Sequence, residues 1–168
     1  MRKGLMLLIV GLILPVEAST DPASFNGTFV VDKEASDDIS AAFRPVIDEM
    51  NLVARTIARR RMRDGIEPDS TVRIQVTEET ITVVSGENPP AVAPASGEEI
   101  EVSGSGGPAT LSTRIEEGIL RLRLHGDRGG FESDYSLDRD GQTLFISTTI
   151  SFNALPRPVS YRLVYRRQ

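Results

Sequence analysis

Cysteine and tryptophan are absent from the 168 residues, histidine occurs once and aromatic residues make up 5%. Without cysteine there can be no disulfide staple, no thiolate metal site and no thiol nucleophile. The single histidine, His125, cannot supply a two-histidine metal site, and no nucleophile-elbow pattern accompanies it. Net positive charge is also lacking: the formal charge is −5, which argues against nucleic acid as a partner. Long apolar runs are missing as well. The longest, Leu5 to Val16, is 12 residues, and a spanning helix needs ~20.

That short run has a different meaning. Arg2 and Lys3 precede it, and Val16-Glu17-Ala18 ends it with small residues at the two recognised cleavage positions. Residues 1–18 therefore read as a secretory signal peptide. A retained anchor and a buried core helix are the other readings, and the first would leave the chain attached to the membrane. No cysteine follows the apolar core, so lipoprotein attachment is excluded. Cleavage after Ala18 exports a chain of 150 residues to the periplasm or beyond, with no stable transmembrane anchor. Losing Arg2, Lys3 and Glu17 moves the formal charge from −5 to −6. A chain of this length fits one domain, here expected over 25–168, with a core that must be self-sufficient.

Residues 19–24 form a polar lead-in, expected to be flexible. Phe25 to Asp32 is rich in aromatic and β-branched residues and predicts a first strand. Ser36 to Arg63 is the one long helical segment. Ser36 is placed to cap it, with Asp37 and Asp38 in the first turn. Ile39, Phe43, Val46, Met50, Val53, Ile57 and Met62 recur at three- and four-residue steps on one face. Pro45 should kink the helix or split it. From Thr71 onward the pattern has period two, in segments around Val72–Val76, Thr80–Val84, Glu98–Val102, Leu111–Ile115, Leu120–Leu124, Phe131–Leu137, Leu144–Phe152 and Tyr161–Tyr165. Gly86 to Pro94 reads as a Pro-rich connection and Gly126 to Gly130 as a loop. This is a mainly β chain: an antiparallel meander of about eight or nine strands, with the helix between the first and second. Closing or curving into a barrel removes the exposed edges of so long a meander. A β-sandwich is the alternative.

Each polar motif has a plain structural explanation. Asp138-Arg139-Asp140-Gly141 opens like a calcium loop but lacks the remaining ligands, and a hairpin turn explains it. Gly104-Ser105-Gly106-Gly107 has no following Lys-Ser/Thr and opens no helix, so it is no phosphate loop. Glu98, Glu99, Glu101, Glu116 and Glu117 form no recognisable catalytic pair. No catalytic residue, metal site or cofactor is expected. The distinctive polar feature is Arg55, Arg59, Arg60, Arg61 and Arg63. Such crowding is unfavourable unless partners are present. It is either a solvated face paired with acidic strand residues or a contact for an anionic surface or an envelope partner.

The start, Phe25-Asn26-Gly27-Thr28-Phe29-Val30-Val31-Asp32 followed by Ser36-Asp37, resembles the opening of a group of uncharacterised exported bacterial proteins. Those begin Gly-Thr-Trp-x-Leu-Asp and continue with Ser-Asp; here Phe29 stands where Trp is usual. The end, Leu155-Pro156-Arg157-Pro158 leading to Tyr161-Arg162-Leu163-Val164-Tyr165-Arg166-Arg167, is similar to their closing strand. The resemblance implies a lipocalin-like β-barrel and, by analogy of fold alone, binding of an apolar molecule.

Two functions follow as expectations. The first is a non-catalytic, exported binding protein for a small hydrophobic or amphipathic ligand, held by Val72, Ile74, Ile81, Val83, Leu120, Leu122, Ile146, Ile150, Tyr161 and Leu163. The second is a cell-envelope structural or interaction protein with a filled barrel and the arginine cluster as its contact. Catalysis ranks well below both.

Overall fold

The computed structural model describes residues 21–62, 66–104 and 107–168, so the expected signal peptide lies outside the described residues. The strands are β1 (Gly27–Val31), β2 (Thr71–Val76), β3 (Thr80–Ser85), β4 (Ala91–Pro94), β5 (Ile100–Gly104), β6 (Gly107–Glu116), β7 (Ile119–Gly126), β8 (Gly129–Leu137), β9 (Thr143–Phe152) and β10 (Val159–Arg167). They form one antiparallel sheet in the order β4-β3-β2-β1-β10-β9-β8-β7-β6-β5. Pairing of the first strand with the last curls the meander into a nearly closed barrel, and the sandwich alternative falls away. At the remaining seam β4 packs on β6, and Thr113 Oγ1 donates to the Pro94 carbonyl at 3.2 Å.

Ten strands replace the expected eight or nine. The extra one is β4, inside the segment read as a Pro-rich connection. It survives beside Pro89 and Pro90 because it is short and pairs only with β3, and proline is tolerated on such an edge. The expected loop over Gly126 to Gly130 shrinks to Asp127 and Arg128, because the strands pair right up to Gly126↔Gly129. Gly130 has no room for a side chain: a Cβ would lie 1.9 Å from the Leu124 carbonyl oxygen.

The single expected helix is two, α1 (Ile39–Asp48) and α2 (Leu52–Met62). Asp38, not Ser36, caps α1, its carboxylate accepting the Ala41 N–H at 3.1 Å. Ser36 is instead tied to β10, where its hydroxyl oxygen accepts the Val164 N–H at 2.9 Å. Pro45 sits inside α1 without ending it. The break comes later, where Asn51 starts a new helix by accepting the Ala54 N–H at 3.0 Å. That break divides the expected apolar face. Ile39, Val46, Ile47 and Met50 are buried, whereas Leu52, Val53 and Ile57 are 76%, 71% and 52% exposed. α1 packs on β10, and α2 packs principally on α1.

The two ends of the barrel are built differently. The helices connect β1 to β2 and so sit at one end, the helix end, together with the β9–β10 loop, whose Arg157 Nε meets Glu49 Oε1 at 3.0 Å. At the opposite, closed end, Pro22–Phe25, which joins the end of the lead-in to the expected start of the first strand, forms a turn of 3-10 helix capped by Asp21. This turn packs on β2 and places Phe25, at 0% exposure, in the same core cluster as Phe29 and Leu144. Arg167 fastens it. Its guanidinium donates to the carbonyls of Ser24, Asn26 and Gly141, each at 2.7 Å, and lies 4.6 Å from the centroid of the Phe29 ring.

Candidate functional site

The candidate site is the inner wall of the barrel toward the helix end. Strand alternation sends every second residue inward, and the register lines these residues up across the sheet. One line runs Ile100↔Leu111↔Leu124↔Phe131↔Ile150↔Val159. Beside it, toward the rim, lies Val102↔Ala109↔Gly126↔Gly129↔Phe152. The next line inward is Thr113↔Leu122↔Ser133↔Thr148↔Tyr161, followed by Ile115↔Leu120↔Tyr135↔Ile146↔Leu163.

Of the residues predicted to line a ligand space, Val72, Ile74, Ile81, Val83, Leu120, Leu122, Ile146 and Leu163 are buried in the common core. Ile150 and Tyr161 are only partly buried. The register thus brings Ile150, Tyr161, Leu122, Leu120, Ile146 and Leu163 onto one wall, from β7 to β10. The other four belong to β2 and β3. Leu124, Phe131, Val102 and Phe152 share the inward phase near the helix end and remain partly or well exposed. Their alternation with Arg123, Glu132, Glu101 and Ser151 was the available signal for them.

The line through Thr113 is polar where its neighbours are apolar. Thr113, Ser133 and Thr148 are buried, and Ser133 Oγ and Thr148 Oγ1 share a hydrogen bond of 2.9 Å. Tyr135 lies beside Ser133, and Tyr161 beside Thr148. Burial raises the hydroxyl pKa of both tyrosines, and these neighbouring hydroxyls offset part of the rise. Tyr165 donates its hydroxyl to the Asp69 backbone carbonyl at 3.1 Å, and its pKa is likewise pushed up, first by burial and then by the Asp69 charge. Asp69 itself is raised by burial. All of these hydroxyls remain neutral at physiological pH.

The arginine cluster does not act as one face. Arg55 folds back so that Nη2 donates to the Met50 carbonyl at 2.8 Å. Arg59 pairs with Asp48 at 2.7 Å, beside a groove of about 340 Å³ lined by Ser40, Arg44, Ile47, Asp48 and Arg59. Arg60 is exposed. The side chain of Arg61 and the whole of Arg63 lie outside the described residues. His125 is on the outer face, exposed, beside a groove of about 330 Å³ whose rim includes Glu132, Asp134, Ser147 and Thr149. Asp138-Arg139-Asp140-Gly141 forms the β8–β9 turn: the Asp138 carboxylate accepts the Thr143 N–H at 2.9 Å, and Gly141 has a φ of 71°. Among the described residues, no group of three or more His, Asp or Glu side chains converges, and no helix is long and apolar enough to cross a membrane.

The sequence matches no protein-family model and no curated protein. Solved structures do resemble it. The SAHS (abundant heat soluble) protein of Ramazzottius varieornatus superposes with a TM-score of 0.59 at 10% identity, covering 88% of this chain and 98% of that one. A fatty-acid-binding protein from Drosophila melanogaster brain tissue gives 0.52 at 18% identity, covering 84% and 98%. The Schistosoma mansoni fatty-acid-binding protein in complex with arachidonic acid gives 0.52 at 18%, covering 87% and 97%. These likenesses establish a lipocalin-like, fatty-acid-binding-protein-like barrel fold.

Proposed function

We propose that this protein is an exported, non-catalytic binding protein that takes a small hydrophobic or amphipathic molecule into its barrel from the helix end. One observation carries the reading. Inward-facing Leu120, Leu122 and Leu144 are at most 2% exposed, yet Phe152, in the same phase at the rim, is 45% exposed, and Leu124, Phe131, Ile150 and Tyr161 between them keep part of their surface accessible. An apolar wall left open at one mouth and sealed at the other is the arrangement of a one-entrance ligand site. The fold likeness to proteins named for fatty-acid binding supports the same reading by analogy. Export rests on the sequence of residues 1–18, and the mass of the protein recovered outside the cytoplasm tests it, with Ser19 as the expected first residue.

Binding is tested by stripping the protein of lipid and titrating it with dodecanol, dodecanoate and an uncharged hydrophobic dye. Saturable binding to at least one, weakened by Phe131→Ser, is the expected result. No binding to any of the three overturns the reading.

A second reading, an envelope or anionic-surface contact, draws on the exposure of Leu52, Val53 and Ile57 beside Arg60 on α2. It is compatible with the first, because α2 stands at the same end of the barrel as the open mouth.

A further inference from the structure

We infer that the ligand's polar end is an uncharged hydroxyl or carbonyl group, read by the belt of Thr113, Ser133, Thr148, Tyr135 and Tyr161, and that a carboxylate is discriminated against. This rests on the carrier reading above and adds the chemical class of its ligand.

The first support is placement. Four of the five residues on the line Thr113↔Leu122↔Ser133↔Thr148↔Tyr161 carry hydroxyls, while the lines on either side are apolar apart from Tyr135. Buried hydroxyls destabilise a core unless they are bonded. Ser133 and Thr148 solve this with each other, which leaves each hydroxyl with unused acceptor capacity. A ligand hydroxyl can join this chain as donor and acceptor together. A ligand carbonyl can accept from it.

The second support is the missing countercharge. A carboxylate moved out of water needs a cation or several N–H donors. Among the described strand residues in the inward phase, the one ionic group is Arg167. It is already committed to the carbonyls of Ser24, Asn26 and Gly141 at the closed end. The carboxylate of Asp69 bears on Tyr135, Tyr161 and Tyr165, and its sign repels an anionic head. Arg59, on α2, is paired with Asp48, and Arg55, also on α2 and not on an inward strand position, donates Nη2 to the Met50 carbonyl while its buried Nε has no partner among the described residues.

The experiment compares a matched pair. Lipid-free protein is titrated by calorimetry with dodecanol and with dodecanoate at pH 8, where the acid is fully ionised. The alcohol should bind at least about tenfold more tightly, the scale of one net hydrogen bond to an otherwise unmet buried group. Equal or tighter binding of dodecanoate overturns this inference and leaves the carrier reading standing. If only the hydrophobic dye binds, this inference is overturned and the carrier reading stands; failure of all three to bind removes the carrier reading itself. Ser133→Ala combined with Thr148→Val should bring the preference close to parity, and an undiminished preference overturns the assignment to the belt. Thr148→Ser keeps a hydroxyl and should keep the preference, which separates loss of the hydroxyl from a general loosening of the core.

Discussion

The closed end of the barrel and the helix end contain similar kinds of residues, put to opposite use. At the closed end an aromatic side chain, Phe25, is fully buried, and a cation, Arg167, is bound to three carbonyls and stacked on Phe29. At the helix end Leu52, Val53 and Ile57 stand in solvent beside Arg60. The closed end is held by tertiary contacts from both termini of the barrel. α2, by contrast, leans principally on α1 and gives the rest of the structure little. Contacts are concentrated at the closed end and the sparsely held element stands at the helix end, which is the division that the proposed carrier function calls for.

The sharpest way to break this comparison is Phe25→Ala. Removing a fully buried phenylalanine costs about 3–4 kcal/mol, and it should also release the 3-10 turn. Urea unfolding monitored by circular dichroism reads it directly as a lower midpoint. A loss below about 1 kcal/mol would mean the closed end is ornamental, since surface changes fall in that range. Arg167→Ala comes next, at about 2–3 kcal/mol, because charge-assisted bonds and the packing of the stem go together. Arg167→Lys should recover little of it, since one ammonium cannot span three carbonyls and lie flat on a ring.

These two residues also show where the sequence stops being readable. Phe25 looks like the start of the first strand, and nothing local marks it as a plug. Arg167 looks like one more arginine in a basic tail. Its carbonyl partners are as far as 143 positions away along the chain. By contrast the phases of the expected strands were largely legible: Val72, Ile74, Ile81, Val83, Leu120, Leu122, Ile146 and Leu163 were picked for the interior and are buried, while Ile150 and Tyr161, picked with them, are only partly buried. The hydroxyl belt lay between these two cases. Thr113, Ser133 and Thr148 each occupy an inward phase visible within their own strand. That they fall on one line depends on register, which the turns set and the alternation alone does not reveal. The helix start was misplaced for a similar reason. Ser36 and Asp38 are both good caps, and only the competing bond from Ser36 to β10 decides between them.

A smaller effect at the closed end depends on pH. Hydrogen bonds from the Thr143 hydroxyl and N–H hold the Asp138 carboxyl down from 3.8 to about 2. A depressed folded value means this contribution is complete above pH 3.8 and disappears as pH falls through about 2. Asp138→Asn should therefore lower the urea midpoint at pH 5 and lower it much less at pH 2, where the folded carboxyl is already about half protonated. Equal losses at both pH values would show that the turn depends on shape and not on the charge.

The smallest expected change in stability comes from the opposite end and bears on the other half of the comparison. Replacing Leu52, Val53 and Ile57 together by glutamine keeps strong helix formers in α2 while removing its exposed apolar surface. Because these side chains are largely in water, the unfolding free energy should change by no more than about 0.5 kcal/mol. The functional readout should move much further. Co-sedimentation with vesicles containing anionic lipid, measured at low salt, should fall severalfold if α2 is a contact surface, and dodecanol affinity should change little because the inner wall is untouched. A stability loss as large as that of Arg167→Ala would make α2 a structural part of the barrel and erase the contrast between the ends. An unaltered vesicle association would leave that contrast in place but remove the surface-contact role from α2, so the open mouth alone would have to account for function.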